Sequence, residues 1–203
     1  MTKKLFAVAF LASAALLGLS LVTSANAADA ASCANCHGTD GVSTDAKVPT
    51  IAGMSAEYLT SAMKAYKGKE RPCPEATYAA GDKKGQKSDM CTVAKDLSDA
   101  DITALATNFG GKKFVRAKQQ TDAALVAKGK EIHEKQCDKC HTEGGSVAGD
   151  DAGILAGQWK AYLAAELKDF KDGKRPMPKK MTPKMDAVPA ADLDALANFY
   201  ASE

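Results

Sequence analysis

Two pentapeptides in this chain of 203 residues share a spacing suited to one kind of chemistry: Cys33-Ala34-Asn35-Cys36-His37 and Cys137-Asp138-Lys139-Cys140-His141. Both read C-x-x-C-H, the pattern of covalent c-type haem attachment. Two thiols add to the haem vinyl groups as thioethers, and the His that follows becomes the proximal iron ligand. The spacing answers to geometry, because the two Cys must straddle one porphyrin edge while the His reaches beneath it. Two copies predict two covalently bound haem c groups. Cys33, Cys36, Cys137 and Cys140 are the expected thioether residues, and His37 and His141 the expected proximal ligands.

The sixth ligand must come from the opposite face of each haem. The third His, His133, lies one turn before Cys137 and is expected to face solvent or a haem propionate. Methionine is then the natural donor, and His/Met ligation raises the reduction potential. Met90 and Met181 hold equivalent places, each 19 residues before the aromatic residue of a terminal helix. Met177 competes with Met181, Met185 less so; the counterpart of Met177 in the first half is Cys73. Cys73 and Cys91 are the two cysteines outside the motifs. In an oxidising compartment a disulfide is their default, worth about 3 kcal/mol on loop-entropy grounds. Metal binding by the pair, or a redox role toward a sulfur substrate, are the alternatives.

The elements that position these residues form an internal repeat. An offset of 104 carries the first motif onto the second, Ala52-Gly53 onto Ala156-Gly157, Tyr58-Leu59 onto Tyr162-Leu163, and Arg71-Pro72 onto Arg175-Pro176. Beyond Pro74 the offset falls to 91, carrying Met90 onto Met181 and Phe109 onto Tyr200, so the first half holds 13 extra residues. Periodicity and punctuation predict helices over 55–67, 99–109, 122–135, 159–171 and 190–201, with Thr121 or Asp122 capping the third. Gly129 inside that helix costs about 1 kcal/mol relative to Ala, which points to a close crossing by the last helix, with the Tyr200 ring against bare backbone. No run of alternating β-branched residues suggests a sheet. The expected architecture is all-α: two tandem class I cytochrome c-like domains, 28–111 and 122–203, joined by a linker over 112–121.

Lys3-Lys4, an apolar run from Leu5 to Val22 and Ala25-Asn26-Ala27 read as a cleaved secretory signal peptide over 1–27. A membrane anchor is the competing reading of that run; nothing downstream resembles a membrane span. Removing the leader leaves 176 residues, and removing its two lysines leaves 25 basic residues against 25 acidic. Such balance argues against nucleic acid as a partner. Domains this small are marginal unless something large fills them, and a haem is such a filler. Trp159, the single Trp, is expected in a haem pocket or at the domain interface. Lysines 83, 84, 87, 179, 180 and 184 could steer an acidic partner, or simply form a solvated face.

The chain resembles the dihaem cytochrome subunit of flavocytochrome c sulfide dehydrogenase. The likeness is densest in Cys137–Gly145, Ile154-Leu155-Ala156-Gly157-Gln158-Trp159, Arg175-Pro176-Met177-Pro178-Lys179-Lys180-Met181 and Phe199-Tyr200-Ala201-Ser202. Ala117-Lys118-Gln119 of the linker also matches. The departure is the insertion between Cys73 and Cys91. What the resemblance implies is a periplasmic electron-transfer subunit with no acid, base or nucleophile of its own. A separate FAD-containing subunit would oxidise sulfide and feed these haems, and a soluble cytochrome c or another acceptor would take the electrons onward. A free-standing dihaem cytochrome c carrier is the alternative. An oxidase or peroxidase would need a haem without its Met, against which Met90 and Met181 speak.

Overall fold

A computed structural model describes residues 29–149 and 152–203. The leader expected over 1–27 lies outside the described residues. The first motif sits on α1 (Ala30–His37), capped by the Asp29 carboxylate accepting from the Ala31 amide and ended by Gly38 at φ +76°. Only Gly fits such a positive φ without strain. Then come α2 (Ala56–Lys67), a small antiparallel hairpin of β1 (Ala76–Thr77) and β2 (Lys87–Ser88), α3 (Met90–Ala94) and α4 (Asp99–Gly110). The second half runs α5 (Ala123–Gln136), the single turn α6 (Thr142–Gly145), α7 (Lys160–Lys171), α8 (Thr182–Asp186) and α9 (Leu193–Ser202).

Local chemistry explains where the helices begin. Ser55 accepts from the Tyr58 amide to start α2, Ser98 and Asp101 form a reciprocal capping box on α4, and Asp122 accepts from Ala124 and Leu125 to start α5. Among the described residues, the sheet that departs from an all-helical reading is the hairpin, which falls inside the 13-residue insertion. Its strands are two residues long, too short for alternation to register in the sequence. The last helix also begins later than expected, at Leu193, after a tight turn over 190–192.

Each half closes around its own apolar cluster. Met54, Leu59, Leu105, Ala106 and Phe109 form the first, joined by Ile154 from the second half. Leu163, Met185, Val188, Leu196, Phe199 and Tyr200 form the second. The crossing of α5 and α9 shapes that second cluster, and Gly129 permits it. A Cβ there would stand 2.1 Å from the Ala195 carbonyl oxygen and 2.7 Å from the Phe199 Cβ. The close approach expected at Gly129 is present, but its partners are Ala195 and Phe199 rather than the Tyr200 ring. Tyr200 points instead toward His133, its ring edge-on to the imidazole at 5.4 Å. His133 corrects a second expectation: it is 2% exposed, not solvent-facing, with Nδ1 hydrogen-bonded to the Tyr200 hydroxyl at 3.0 Å.

Gly129→Ala is therefore expected to destabilise the second half by about 1–3 kcal/mol, the cost of overpacking, despite Ala's better helix propensity. Gly111→Ala, where a Cβ meets nothing nearer than 3.5 Å, should stay within about 0.5 kcal/mol of the parent. Denaturant melts of both variants check the contrast.

Candidate functional site

In the first half, α1 carries Cys33, Cys36 and His37, and His37 stands on the wall of a cavity. His37 Nδ1 lies 2.9 Å from the Pro49 carbonyl oxygen. Because a carbonyl only accepts, Nδ1 carries the proton, and Nε2 keeps its lone pair for a metal. Burial lowers the His37 pKa, the Pro49 hydrogen bond countering in part, so the imidazole is neutral and able to ligate. Burial also pushes the Cys33 thiol up. The cavity lined by His37 is lined too by Met54, Met63, Met90 and Tyr58, together with Arg71. Met90 and His37 thus line one cavity. Met63 was not singled out by the sequence, yet its counterpart by the 104 offset is Leu167, which cannot ligate. The Met54 sulfur is already engaged, 3.1 Å from the Ile154 amide.

The Cys73 and Cys91 sulfurs are bonded to each other, with Cα atoms 5.8 Å apart. Both approach the Arg71 carbonyl oxygen, and Asp89 between them caps α3, the helix that begins at Met90. With its sulfurs bonded, the cluster of Cys73, Asp89 and Cys91 offers no thiolate to a metal. The bridge closes the base of the insertion and anchors the chain one residue after Met90.

In the second half, Cys137 caps the end of α5 and Cys140 is exposed. His141 is half-buried, its pKa lowered by burial and by the neighbouring His133. Met181, just before α8, packs on the same apolar cluster as Met177, so the fold leaves both near the second site. Met185 is 3% exposed within the core itself. His133 has both nitrogens engaged, by Tyr200 and by Asp138 at 3.3 Å.

The two halves meet across a joint with approximate two-fold symmetry. Gln158 Nε2 donates to the Thr50 carbonyl at 2.9 Å, and its Oε1 accepts from the Thr50 amide at 3.0 Å. The mirror-related pair, Met54 and Ile154, makes the reciprocal contact already described. Trp159 Nε1 donates to the Ser43 carbonyl at 3.1 Å, which places the indole at the domain interface. Gln119 of the linker donates to the Gln158 carbonyl and accepts from the Lys160 amide, both at 2.8 Å.

At the centre of the joint lies a charge cluster the sequence did not reveal. Arg71, 5% exposed, bonds the Tyr162 hydroxyl at 2.8 Å and the Glu166 carboxylate at 2.6 Å, and Arg175 takes the other Glu166 oxygen. The guanidinium of Arg71 stacks on Tyr66 at 4.6 Å and that of Arg175 on Phe170 at 4.1 Å. Burial pushes the Tyr66 phenol up to about 12. By the 104 offset Arg71 answers to Arg175, Tyr162 to Tyr58 and Tyr66 to Phe170, whereas the counterpart of Glu166 is Ala62. Two arginines share one carboxylate, and a single chain offers no signal for that pairing before folding.

These residues fit a haem. Among the described residues, Arg71 Nε is the buried side-chain nitrogen left without a partner. Arg71 itself lines the His37–Met90 cavity, where a propionate carboxylate would be a fitting partner for its guanidinium. The remaining wall is aromatic and aliphatic, suited to a porphyrin face.

Fold and site together define a protein built from two cytochrome c domains in tandem. Residues 24–107 match the family described as Cytochrome c, and residues 124–199 match Cytochrome C oxidase, cbb3-type, subunit III. Cytochrome c4 of Stutzerimonas stutzeri is 32% identical over 152 residues, 69% of this chain and 68% of that one. The thiosulfate dehydrogenase electron acceptor of Thiomonas intermedia is 30% identical, covering 69% and 63%. The solved cytochrome c4 of Acidithiobacillus ferrooxidans superposes with a TM-score of 0.67 at 28% identity, over 85% of this chain and 99% of that one. The chain belongs to the cytochrome c4 family. It is a dihaem electron-transfer cytochrome carrying two covalently bound haem c groups.

Glu166→Gln removes the carboxylate that buried Arg71 and half-buried Arg175 share and is expected to cost about 3 kcal/mol, as for a buried pair that loses one partner. Chemical denaturation of the haem-loaded protein measures it. A loss below about 1 kcal/mol, the scale of an exposed pair, would mean that the cluster does not hold the joint.

Proposed function

We propose that this chain is the periplasmic electron-transfer subunit of a sulfide-oxidising flavocytochrome c. It receives electrons from a FAD-containing subunit and passes them to a soluble cytochrome c or another acceptor. The first domain, 28–111, holds one haem through Cys33 and Cys36 with His37 and Met90 as axial ligands. The second, 122–203, holds the other through Cys137 and Cys140 with His141 and Met181. The haems supply reversible one-electron transfer; the protein fixes ligands, dielectric and docking surface. Here His37 is held neutral with Nε2 free, Arg71 offers its unpartnered Nε to a propionate, and the apolar walls exclude water from the iron.

The observation that carries this reading is where its most discriminating residues lie. Gln158 and Trp159, from the Ile154–Trp159 segment, and Arg175, from the Arg175–Met181 segment, build the joint between the two domains. The likeness to the sulfide dehydrogenase subunit therefore rests on how two haem domains are held together, beyond the motifs any cytochrome c shares. A sulfur-oxidising donor also suits the similarity to a thiosulfate dehydrogenase electron acceptor. The solved thiosulfate dehydrogenase of Marichromatium purpuratum matches with a TM-score of 0.66 at 26% identity, over 88% of this chain and 38% of that one. No helix among the described residues is long and apolar enough to cross a membrane.

A free-standing dihaem carrier is the second reading, favoured by the similarity to cytochromes c4 over most of the chain. Purification of the native protein from periplasm separates the two. The subunit reading expects a complex with flavin absorption beside two haems per cytochrome chain, whose haems are reduced on adding sulfide. A flavin-free protein that stays oxidised with sulfide would leave the carrier.

A further inference from the structure

The 13-residue insertion folds back over the first haem-attachment motif. The amides of Ala79 and Ala80 both donate to the Asn35 carbonyl, at 2.7 and 3.3 Å. Gly81, at φ +71°, lies so close that a Cβ there would be 2.5 Å from the Asn35 side-chain oxygen. Asn35 stands between Cys36 and Cys33, so the hairpin rests on the stretch of backbone that carries the thioether edge of the first haem. The hairpin is fixed at both ends. The β1–β2 ladder pairs Ala76 with Ser88 and Thr77 with Lys87, and the Cys73–Cys91 bond closes its base.

Among the described residues the second motif has no such cover, and exposure reflects the difference. Residues 33–36 are all half-buried, whereas Asp138, Lys139 and Cys140 are exposed. The contrast runs against what the helices alone would give. The second motif follows a helix of 14 residues, whereas the first lies within the eight-residue α1. The shielding at Asn35 therefore comes from the insertion.

We propose that the stapled hairpin is an electron-routing element. It covers the thioether edge of the first haem, so that exchange with a soluble partner is directed to the exposed edge of the second. The physical ground is the steep fall of electron transfer with edge-to-edge distance: a layer of polypeptide over one edge disfavours it against an open one. This inference depends on the two attached haems and not on which enzyme supplies the electrons.

The test reads haem access directly in the oxidised, haem-loaded protein. A neutral, soluble gadolinium chelate is added, and broadening is followed on the hyperfine-shifted haem methyl signals of each haem. In the parent, one set of methyl signals is expected to broaden less than the other. Deleting residues 76–88 gives the first half the same Pro-to-Met spacing as the second; the protected set should then broaden to match its partner. The deletion also identifies the first haem, because its shifts are the ones that move. Ala79→Pro removes the shorter hydrogen bond without touching the disulfide or Met90. It should give an intermediate gain in broadening and serves if the deletion disturbs ligation. Equal broadening of both sets in the parent would overturn the proposal. So would a contrast that survives both variants.

Discussion

A C-x-x-C-H motif ties a large flat cofactor to the chain at three points within five residues, and most of this structure follows from that constraint. Once both thioethers and the proximal His are fixed, the haem plane is set relative to the helix carrying them. The rest of each domain must then supply an apolar wall, a distal ligand and a partner for the propionates. The first domain meets these demands with a small set of residues. Pro49 orients His37, α2 and α3 bring Met63 and Met90 to the same cavity, and Arg71 keeps one nitrogen unpaired on its wall. A chain of this size has little apolar material to spare for two cores. Each cluster therefore closes only with large residues from its terminal helix, Phe109 in one and Tyr200 in the other.

The joint between the domains is built from the same residues that build the sites. Tyr162 of the second domain lines the first domain's cavity and receives a hydrogen bond from Arg71. Ile154 completes the first core from across the interface. A buried ion pair is weak evidence for stability in itself, since desolvation offsets much of the attraction. Here the pair has additional partners in the Tyr162 hydroxyl and two aromatic faces, which satisfy groups that a bare pair would leave short. The symmetry is broken at Glu166 against Ala62, and elsewhere in the joint at Gln158 against Met54 and Trp159 against Ser55, so the two haem environments are not identical even where their folds correspond.

Much of this was legible in the sequence because the signals were periodic or duplicated. The attachment motifs, five helices, the repeat offset and the small-residue crossing at Gly129 all depend on local spacing. Met90 emerged from repeat symmetry, and it lines one cavity with His37. The Cys73–Cys91 bond followed from counting cysteines left over after the motifs. What was not legible depends on contacts between residues far apart in the chain. The Arg71–Glu166 pair spans 95 positions, and nothing in a single repeat marks Glu166 as a partner. His133, one turn before Cys137, was expected to face solvent or a haem propionate, but Phe199 and Tyr200 from the last helix cover it. The short hairpin escaped notice because two-residue strands carry no alternation, and its contact with Asn35 is made by backbone amides, which any sequence possesses.

The central claim is that two haems are held covalently at the two motifs while the remaining cysteine pair is bonded to itself. Intact mass of the denatured, unreduced protein, followed by peptide mapping, tests it most directly. The account predicts a mature chain from which both haems survive denaturation. One should lie on the peptide containing Cys33 and Cys36, the other on that containing Cys137 and Cys140, with a separate cross-link joining Cys73 to Cys91. A chain that loses either haem on denaturation, or one in which Cys73 or Cys91 carries haem, would contradict it.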